Sequence, residues 1–377
     1  MTSGNIRPFE PPPYPYDRLD PIKAIAQEHD GGVIDLSIGT PCDPPPASVS
    51  RALSTSGAEM GYPPSIGTPA FRDAAASWLN RLAGTDLEAG DIRATIGSKE
   101  VVAGMPHWLR LRSPDLDTVL YPEISYPSYA MGARLANCRA VPVPVDDHWR
   151  MNLDAIDPSD AKRALCLWVN TPGNPAGGLD DLESAAIWGR SNGVPVFSDE
   201  CYIEFTWDGP PRSILQHGLD GVIAVHSLSK RSNFAGARAG FFAGDPDLAH
   251  YLGEVRKHAG FMPPGPVQAA AVAALSDQVH VEEQAERYWN RLVAGQKMLA
   301  AINVDCDLPK GGFYLWAEAP GGDAWALTER LARDAGILVS PGEFYGVQGS
   351  GHVRVAVVQS DEKMALASRR LGLKPEL

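Results

Sequence analysis

The sequence predicts an α/β protein: a doubly wound domain on a mostly parallel sheet, joined to a smaller α+β domain. Three observations lead there. Short apolar runs alternate with helical segments through the middle of the chain. Several of these runs are continuously apolar, as strands covered on both faces are. Polar signals stand just past three successive runs, at Asn170, at Asp199 and at Ser227 to Lys230. Ligands of open α/β sheets bind beyond the carboxyl ends of the strands.

Residues 1–20 are rich in proline and aromatics, so this arm is expected to be irregular and to lie on another surface, such as a partner subunit. A short helix is expected from Asp20 to about Glu28, then a strand over Val33–Ile38 that stops at Gly39-Thr40-Pro41. The proline-rich loop from Pro41 to Pro46 marks a first crossing between domains. A helix around Phe71–Arg81 leads to Thr95-Ile96, to Gly97-Ser98-Lys99-Glu100, and to an apolar helix from Glu100 to Leu111. Strands are expected at Thr118–Tyr121, Ala140–Val145, Ala164–Val169, Val194–Ser198, Val222–His226 and Ala239–Ala243. Past about residue 265 the pattern changes. A long helical stretch, Pro266 to Ala301, is interrupted near Ser276–His280; a helix over Ala324–Ala335 and strands at Ile337–Val339 and His352–Val358 follow. The expected division is 1–45 as arm and part of the small domain, 46–265 as the large domain, and 266–377 as interdomain helix and C-terminal small domain.

Length and composition bound the function. The chain has 377 residues, 44% hydrophobic and 21% charged, which fits a water-soluble globular protein of two domains or of one large domain with a subdomain. A net charge of -13 argues against nucleic acid as the main partner, because phosphate backbones need excess Lys and Arg. It leaves room for a small anion in a local basic pocket. The N-terminus lacks a basic segment followed by an apolar one, and no apolar run is long enough to span a bilayer. A cytoplasmic protein with no membrane partner is expected. The five cysteines (Cys42, Cys138, Cys166, Cys201, Cys306) are scattered, without a CxxC pair. They are expected to be small buried residues in a reducing compartment, and no metal site is expected.

The chemistry is carried by a constellation. Lys230 closes Ser227-Leu228-Ser229-Lys230 behind an apolar strand, and Arg238 follows eight residues later. An amine and a nearby anion anchor are what covalent capture of an aldehyde phosphate requires. A lone lysine would be read as solvated surface. Asn170-Thr171-Pro172-Gly173-Asn174-Pro175 is by itself a Pro/Gly turn, or a rigid turn that presents the Asn174 amide. Asp199 at a strand end is either a helix cap or a carboxylate that pairs with a pyridinium nitrogen. Tyr202, three residues on, then faces the same site.

Asn174-Pro175, Asp199 with Tyr202, Ser227-Leu228-Ser229-Lys230 and Arg238 occur in the order and spacing of the fold type I pyridoxal-phosphate enzymes. Along nearly its full length the chain resembles a class I/II aminotransferase. The resemblance implies the following roles. Lys230 resembles the Schiff-base lysine, and Asp199 the partner of the ring nitrogen. Tyr202 and Asn174 would bond the ring's phenolic oxygen. Ser227, Ser229, Arg238, Ser98 and the backbone at Gly97–Lys99 would hold the phosphate of pyridoxal 5'-phosphate. Lys99 itself has no clear counterpart and reads equally as a solvated charge. Tyr126 is placed like the aromatic that stacks on the ring. Tyr62 resembles the tyrosine that reaches the phosphate of the neighbouring subunit, which implies a homodimer with shared active sites. Arg354 resembles the arginine that clamps a substrate α-carboxylate, and Gly39 lies in the loop that closes over substrate.

The implied reaction is transfer of an amino group between amino acids and keto acids. Arg7 to Tyr16, Asp35 to Pro41 and His258 to Gln268 are similar to the succinyldiaminopimelate transaminases of actinobacteria. That similarity implies glutamate as donor, a place in lysine and diaminopimelate synthesis, and further cations for extra carboxylates. Arg231, Arg256, Lys257 and Lys310 are candidates. The same scaffold hosts other aminotransferases, carbon–sulfur lyases and non-catalytic ligand sensors. Product analysis separates the first two, and a sensor would carry a fused DNA-binding segment, which is not visible.

Overall fold

The structure is a computed structural model that describes residues 9–374; Arg7, Pro8 and the last three residues of the expected small domain lie outside the described residues. Among the described residues the chain forms α1 (Asp20–Gln27), β1 (Ile34–Asp35), α2 (Ala47–Thr55), α3 (Pro69–Ala83), β2 (Arg93–Ile96), α4 (Ser98–Arg112), β3 (Thr118–Pro122), α5 (Ser128–Leu135), β4 (Arg139–Val143), α6 (Pro158–Ala161), β5 (Ala164–Asn170), α7 (Leu182–Asn192), β6 (Val196–Asp199), β7 (Val222–Ser227), α8 (Leu228–Arg231) and β8 (Ala239–Gly244). Then follow α9 (Pro246–His258), α10 (Gly265–Ser276), α11 (Val279–Ala301), β9 (Tyr314–Glu318), α12 (Ala324–Ala335), β10 (Ile337–Leu338), β11 (Ser340–Pro341), β12 (His352–Ala356) and α13 (Asp361–Arg370).

The main sheet has seven strands in the order β2-β8-β7-β6-β5-β3-β4. From β7 to β4 every pairing is parallel, whereas β8 is antiparallel to both β7 and β2. Strands β5, β6, β7 and β8 are buried at every residue, which is why they read as unbroken apolar runs. One face carries Val101, Met105, Trp108, Tyr129 and Trp168, the other Phe71, Trp78, Leu79 and Phe241. A second core, built on Tyr288, Leu292, Phe313, Leu315 and Val353, covers the three-stranded sheet β11-β12-β9 and the β1-β10 pair.

Several expectations are corrected. The strand expected over Val33–Ile38 is reduced to Ile34–Asp35, because its partner β10 is equally short. The Asp35 carboxylate then accepts from the Ser37 N–H at 3.0 Å and turns the chain. The strand expected to reach Val145 ends at Val143 before Pro144, a residue without an N–H to donate. The arm is less irregular than expected: Pro15–Leu19 forms a 3-10 turn, and it packs on its own chain through Tyr16 against Phe344, ring centres 5.4 Å apart. Of the cysteines only Cys166 is fully buried, and Cys42 is exposed. No described helix is long and apolar enough to cross a membrane.

Candidate active site

The reversed strand β8 explains how distant segments meet. β5, β6 and β7 are neighbours and end at Asn170, Asp199 and Ser227 on one edge of the sheet. Because β8 runs the other way, its beginning lies at that same edge: Gly240 pairs with Ser227 and Ala239 with Ile96. Arg238, just before β8, and Gly97 to Lys99, just after β2, are thereby brought beside the three strand ends. Gly39, Tyr126, Arg354 and the arm tyrosines Tyr14 and Tyr16 complete a cavity of about 270 Å³, near the lower end of small-ligand sites.

Within it the groups fall into three zones. At one end, α4 opens after Gly97, and Ser98, Ser227, Ser229 and Arg238 line the wall. Gly97 has φ 69°, and a Cβ there would lie 2.3 Å from the Arg238 guanidinium. Only glycine lets the arginine lie across this helix start, where unpaired N–H groups and the helix dipole favour an anion. Arg238 is fixed by donating from Nη1 to the Ala235 carbonyl at 2.8 Å.

In the middle, Asp199 is buried. Its Oδ2 accepts from the Tyr129 hydroxyl at 2.9 Å, and its Oδ1 from the Cys201 N–H at 3.3 Å. Burial pushes the Asp199 carboxyl up, against these hydrogen bonds and the nearby Lys230 charge. A cationic nitrogen is the partner that such a carboxylate lacks. Asn170 ties the floor together, donating to the Asp199 carbonyl and accepting from the Asn174 N–H, each at 2.8 Å. Tyr202 and Tyr314 share a hydroxyl contact of 2.9 Å. Lys230 donates to the Gly39 carbonyl. Desolvation lowers its pKa to about 8, with Arg354 and Arg238 pushing the same way and Cys201 and Asp199 opposing.

At the far end stands Arg354, 3% exposed. Nη1 donates to Asn174 Oδ1 at 2.8 Å, and Nη2 donates to the Ser37 carbonyl at 2.6 Å and to the Tyr16 hydroxyl at 3.1 Å. Its guanidinium lies between the rings of Tyr314 and Tyr345, 4.2 and 4.6 Å from their centres. Burial opposes the charge, but the surrounding tyrosine hydroxyls more than offset it and hold the pKa above that of an ordinary arginine. Nε has no partner, so a buried donor is left for an incoming acceptor. Gly39 closes this end: a Cβ there would overlap the Tyr314 hydroxyl at 2.0 Å.

Of the residues to which the resemblance assigns a role, all but two line the cavity. Gly97 shapes it from behind, and Tyr62 is 96% exposed on a projecting loop. Lys99, exposed at the rim, stands 5.5 Å from the Tyr14 ring centre. The four further cations do not reach the cavity. Arg231 pairs with Glu204 at 2.9 Å and Arg256 with Glu100 at 2.5 Å, both within the core. Lys257 and Lys310 pair on the surface with Glu254 and Asp208. Sequence reasoning missed Tyr129, Cys201, Tyr314 and Tyr16. Tyr129 had a signal in Tyr126-Pro127-Ser128-Tyr129, since two phenols three apart at a helix start share a face. Tyr16 had none beyond the aromatic arm.

A fold with this sheet and this lysine, carboxylate and anion cradle defines a fold type I pyridoxal-phosphate enzyme. The chain belongs to the aminotransferase class I and II family, whose model matches residues 31–371. It is 40% identical over 370 residues to the 4-dedimethylamino-4-oxo-anhydrotetracycline transaminase OxyQ of Streptomyces rimosus, covering 96% of this chain and 99% of that one. It is 41% identical over 369 residues to a probable aminotransferase of Mycobacterium tuberculosis, covering 96% and 85% of the two chains. Among solved structures it is similar to a probable N-succinyldiaminopimelate aminotransferase from Thermus thermophilus, with a TM-score of 0.84, 30% identity, and 95% and 99% coverage. The cofactor of this family is pyridoxal 5'-phosphate, and the donor set fits it: an anion cradle, a buried carboxylate and an amine stand in one cavity.

Proposed function

We propose that this chain is a glutamate-dependent aminotransferase whose amino acceptor is a succinylated keto acid of the diaminopimelate series. The observation that carries the transaminase part is Arg354, a buried, pre-oriented guanidinium with one free donor in the same cavity as Lys230. Its planar fork suits a carboxylate, with the free Nε as one prong and, as the second, a donor that now holds Ser37, Tyr16 or Asn174. Lys99 at the rim supports a substrate with a second anionic end, and so does the similarity to the probable N-succinyldiaminopimelate aminotransferase of Thermus thermophilus.

When bound, pyridoxal phosphate supplies an aldehyde and an electron-accepting ring. Ser98, Ser227, Ser229, Arg238 and the N–H groups opening α4 would hold its phosphate. Tyr126 would cover the ring. Asp199, oriented by Tyr129, would hold a proton on the ring nitrogen, and Tyr202 and the Asn174 amide would donate to the ring oxygen. Arg354 would orient the amino acid by its carboxylate, and the Lys230 amine would take the proton from the α-carbon and hold it on Nζ for return. With a pKa near 8, Lys230 is a usable base near neutrality. Cofactor capture by the apoprotein is therefore expected to speed up with pH through a midpoint near 8 and then level off. Stopped-flow absorbance checks this, and a rate still climbing past pH 9 contradicts it.

We also propose that residues 46–265 form the cofactor domain, with the flanking segments forming the small domain. The active unit on this reading is a cytoplasmic homodimer in which Tyr62 reaches the partner's phosphate site.

The test is glutamate-dependent amination of a panel of keto acids that includes N-succinyl-2-amino-6-ketopimelate, followed by product analysis. The succinylated acid is expected to lead the panel, and a wide preference for simple keto acids refutes the narrower assignment. A second reading rests on the 40% identity to OxyQ, a transaminase named for a polycyclic 4-oxo substrate: a bulky cyclic ketone in the same panel tests it.

A further inference from the structure

Glu200 and His226 stand side by side on the face of the sheet opposite the cavity. Glu200 follows β6, and its N–H bonds the Val225 carbonyl at 2.9 Å, which sets it beside His226 on β7. Successive strand residues point to opposite faces. Asp199 and Ser227 line the cavity, so Glu200 and His226 point away from it. There the imidazole packs on Phe241 of β8, centres 5.0 Å apart, and edge-on to Trp78 of α3 at 5.3 Å. Glu200 is 0% exposed and His226 2%.

Glu200 Oε1 accepts from the Ile214 N–H at 2.8 Å. Its Oε2 lies 3.3 Å from His226 Nε2. Apart from that approach, which is not well aligned, neither this oxygen nor either ring nitrogen has a hydrogen-bond partner. Two bare lone pairs at this separation in a dry core would repel. A single proton between them turns the contact into a hydrogen bond. An ion pair here would require desolvating two charges, whereas a protonated carboxyl against a neutral imidazole requires neither. Burial acts in that sense on both groups, raising Glu200 to about 7 and depressing His226 to about 3. Around them, Trp78 and Phe241 bring no ionisable group, while the Ile214 N–H and the Ser213 and Ser198 hydroxyls favour the Glu200 carboxylate without overcoming its burial. Asp199 is the adjacent charge and favours protonation of Glu200. Glu204, beyond Trp78, is already engaged by the Trp78 indole at 2.6 Å and by Arg231 at 2.9 Å.

We infer that Glu200 and His226 form a neutral one-proton pair, Glu200 Oε2–H donating to His226 Nε2, that positions the cofactor site from behind. The pair ties the ends of β6 and β7 together, so Asp199 and Ser227 keep their spacing. It also keeps a second negative charge from forming next to Asp199, where like charge would disfavour the carboxylate that the ring nitrogen needs. The inference rests on the roles proposed above for Asp199 and Ser227.

Two measurements test it. In the holoenzyme with ¹⁵N-labelled histidine, the His226 resonance, assigned by its loss in His226→Gln, is read at pH 6, where an exposed histidine is roughly three-quarters protonated. A neutral ring with bare Nε2 and protonated Nδ1 is expected; an imidazolium, or a proton resident on Nε2, overturns the pair. Cofactor affinity of the apoproteins is then measured by fluorescence quenching. Glu200→Gln keeps a donor and is expected to stay within about twofold, while His226→Phe, which fills the volume but removes the acceptor, weakens binding on the order of tenfold. A packing role alone moves neither value. Unchanged affinity in His226→Phe, or an equal loss in Glu200→Gln, overturns the positioning role. If His226→Phe does not fold, the resonance of the native holoenzyme decides. Asp199→Asn, run alongside, separates the two readings: weakened binding there with none in His226→Phe sinks the pair alone, and no change in Asp199→Asn sinks the role of Asp199.

Discussion

Lys230→Ala is expected to lose the long-wavelength absorbance of lysine-linked cofactor and to slow transamination on the order of 10⁴-fold, the upper range for a positioned acid–base group. The lysine is singular in its surroundings. Two amines line the cavity; Lys99 stands exposed at the rim, whereas Lys230 has its proton affinity already lowered by desolvation. Soluble amines added to the variant should restore part of the rate, because the missing function is a base at a fixed place rather than a structural contact. The fold should survive, since the side chain's hydrogen bond is to the Gly39 carbonyl of a loop at the cavity wall. Absorbance, single-turnover rates and circular dichroism check the three parts. Full turnover with retained chromophore would remove Lys230 from the chemistry altogether.

Arg354→Ala is expected to lower kcat/KM for both the donor and the acceptor by about 3 kcal/mol, roughly 150-fold, mostly through KM. Both substrates carry an α-carboxylate, so both half-reactions should suffer, whereas a side-chain contact would affect only one. Arg354→Lys should not rescue the loss. The guanidinium is held between the Tyr314 and Tyr345 rings and bonded to Asn174, Ser37 and Tyr16. An ammonium offers neither the plane nor the fork that this setting fits. Steady-state kinetics with glutamate and with the keto acid check it, and unchanged KM values for both would show that the carboxylate binds elsewhere.

Much of the site was legible because it follows from strand ends. An apolar run buried on both faces announces its own strand, and a polar residue just past it has few places to go except the sheet edge. Asn170, Asp199 and Ser227 were found that way, and the structure sets them on three neighbouring strands. Side chains held by contacts across the fold were not legible. Tyr129 reaches Asp199 over a separation of 70 residues and Tyr16 reaches Arg354 over 338, and neither distance leaves a local pattern. The extra cations failed for the opposite reason: Arg231 and Arg256 are as positive as Arg354, but Glu204 and Glu100 neutralise them in the core. Charge in a sequence does not say whether its counter-charge is a ligand or a neighbour.

By itself the sequence determined the alternating architecture, which depends on residue types at fixed spacings along single elements, and the family resemblance that marks the lysine, carboxylate and arginine as candidates. The tertiary structure decided which ends meet. Strand β8 runs against its neighbours, so Arg238 joins the site from the start of a strand while Ser227 joins it from the end of another. It also decided that the arm lies over its own cavity, with Tyr16 on Arg354. Strand direction and the docking of an arm are set by packing between segments far apart in sequence, and no local preference encodes them.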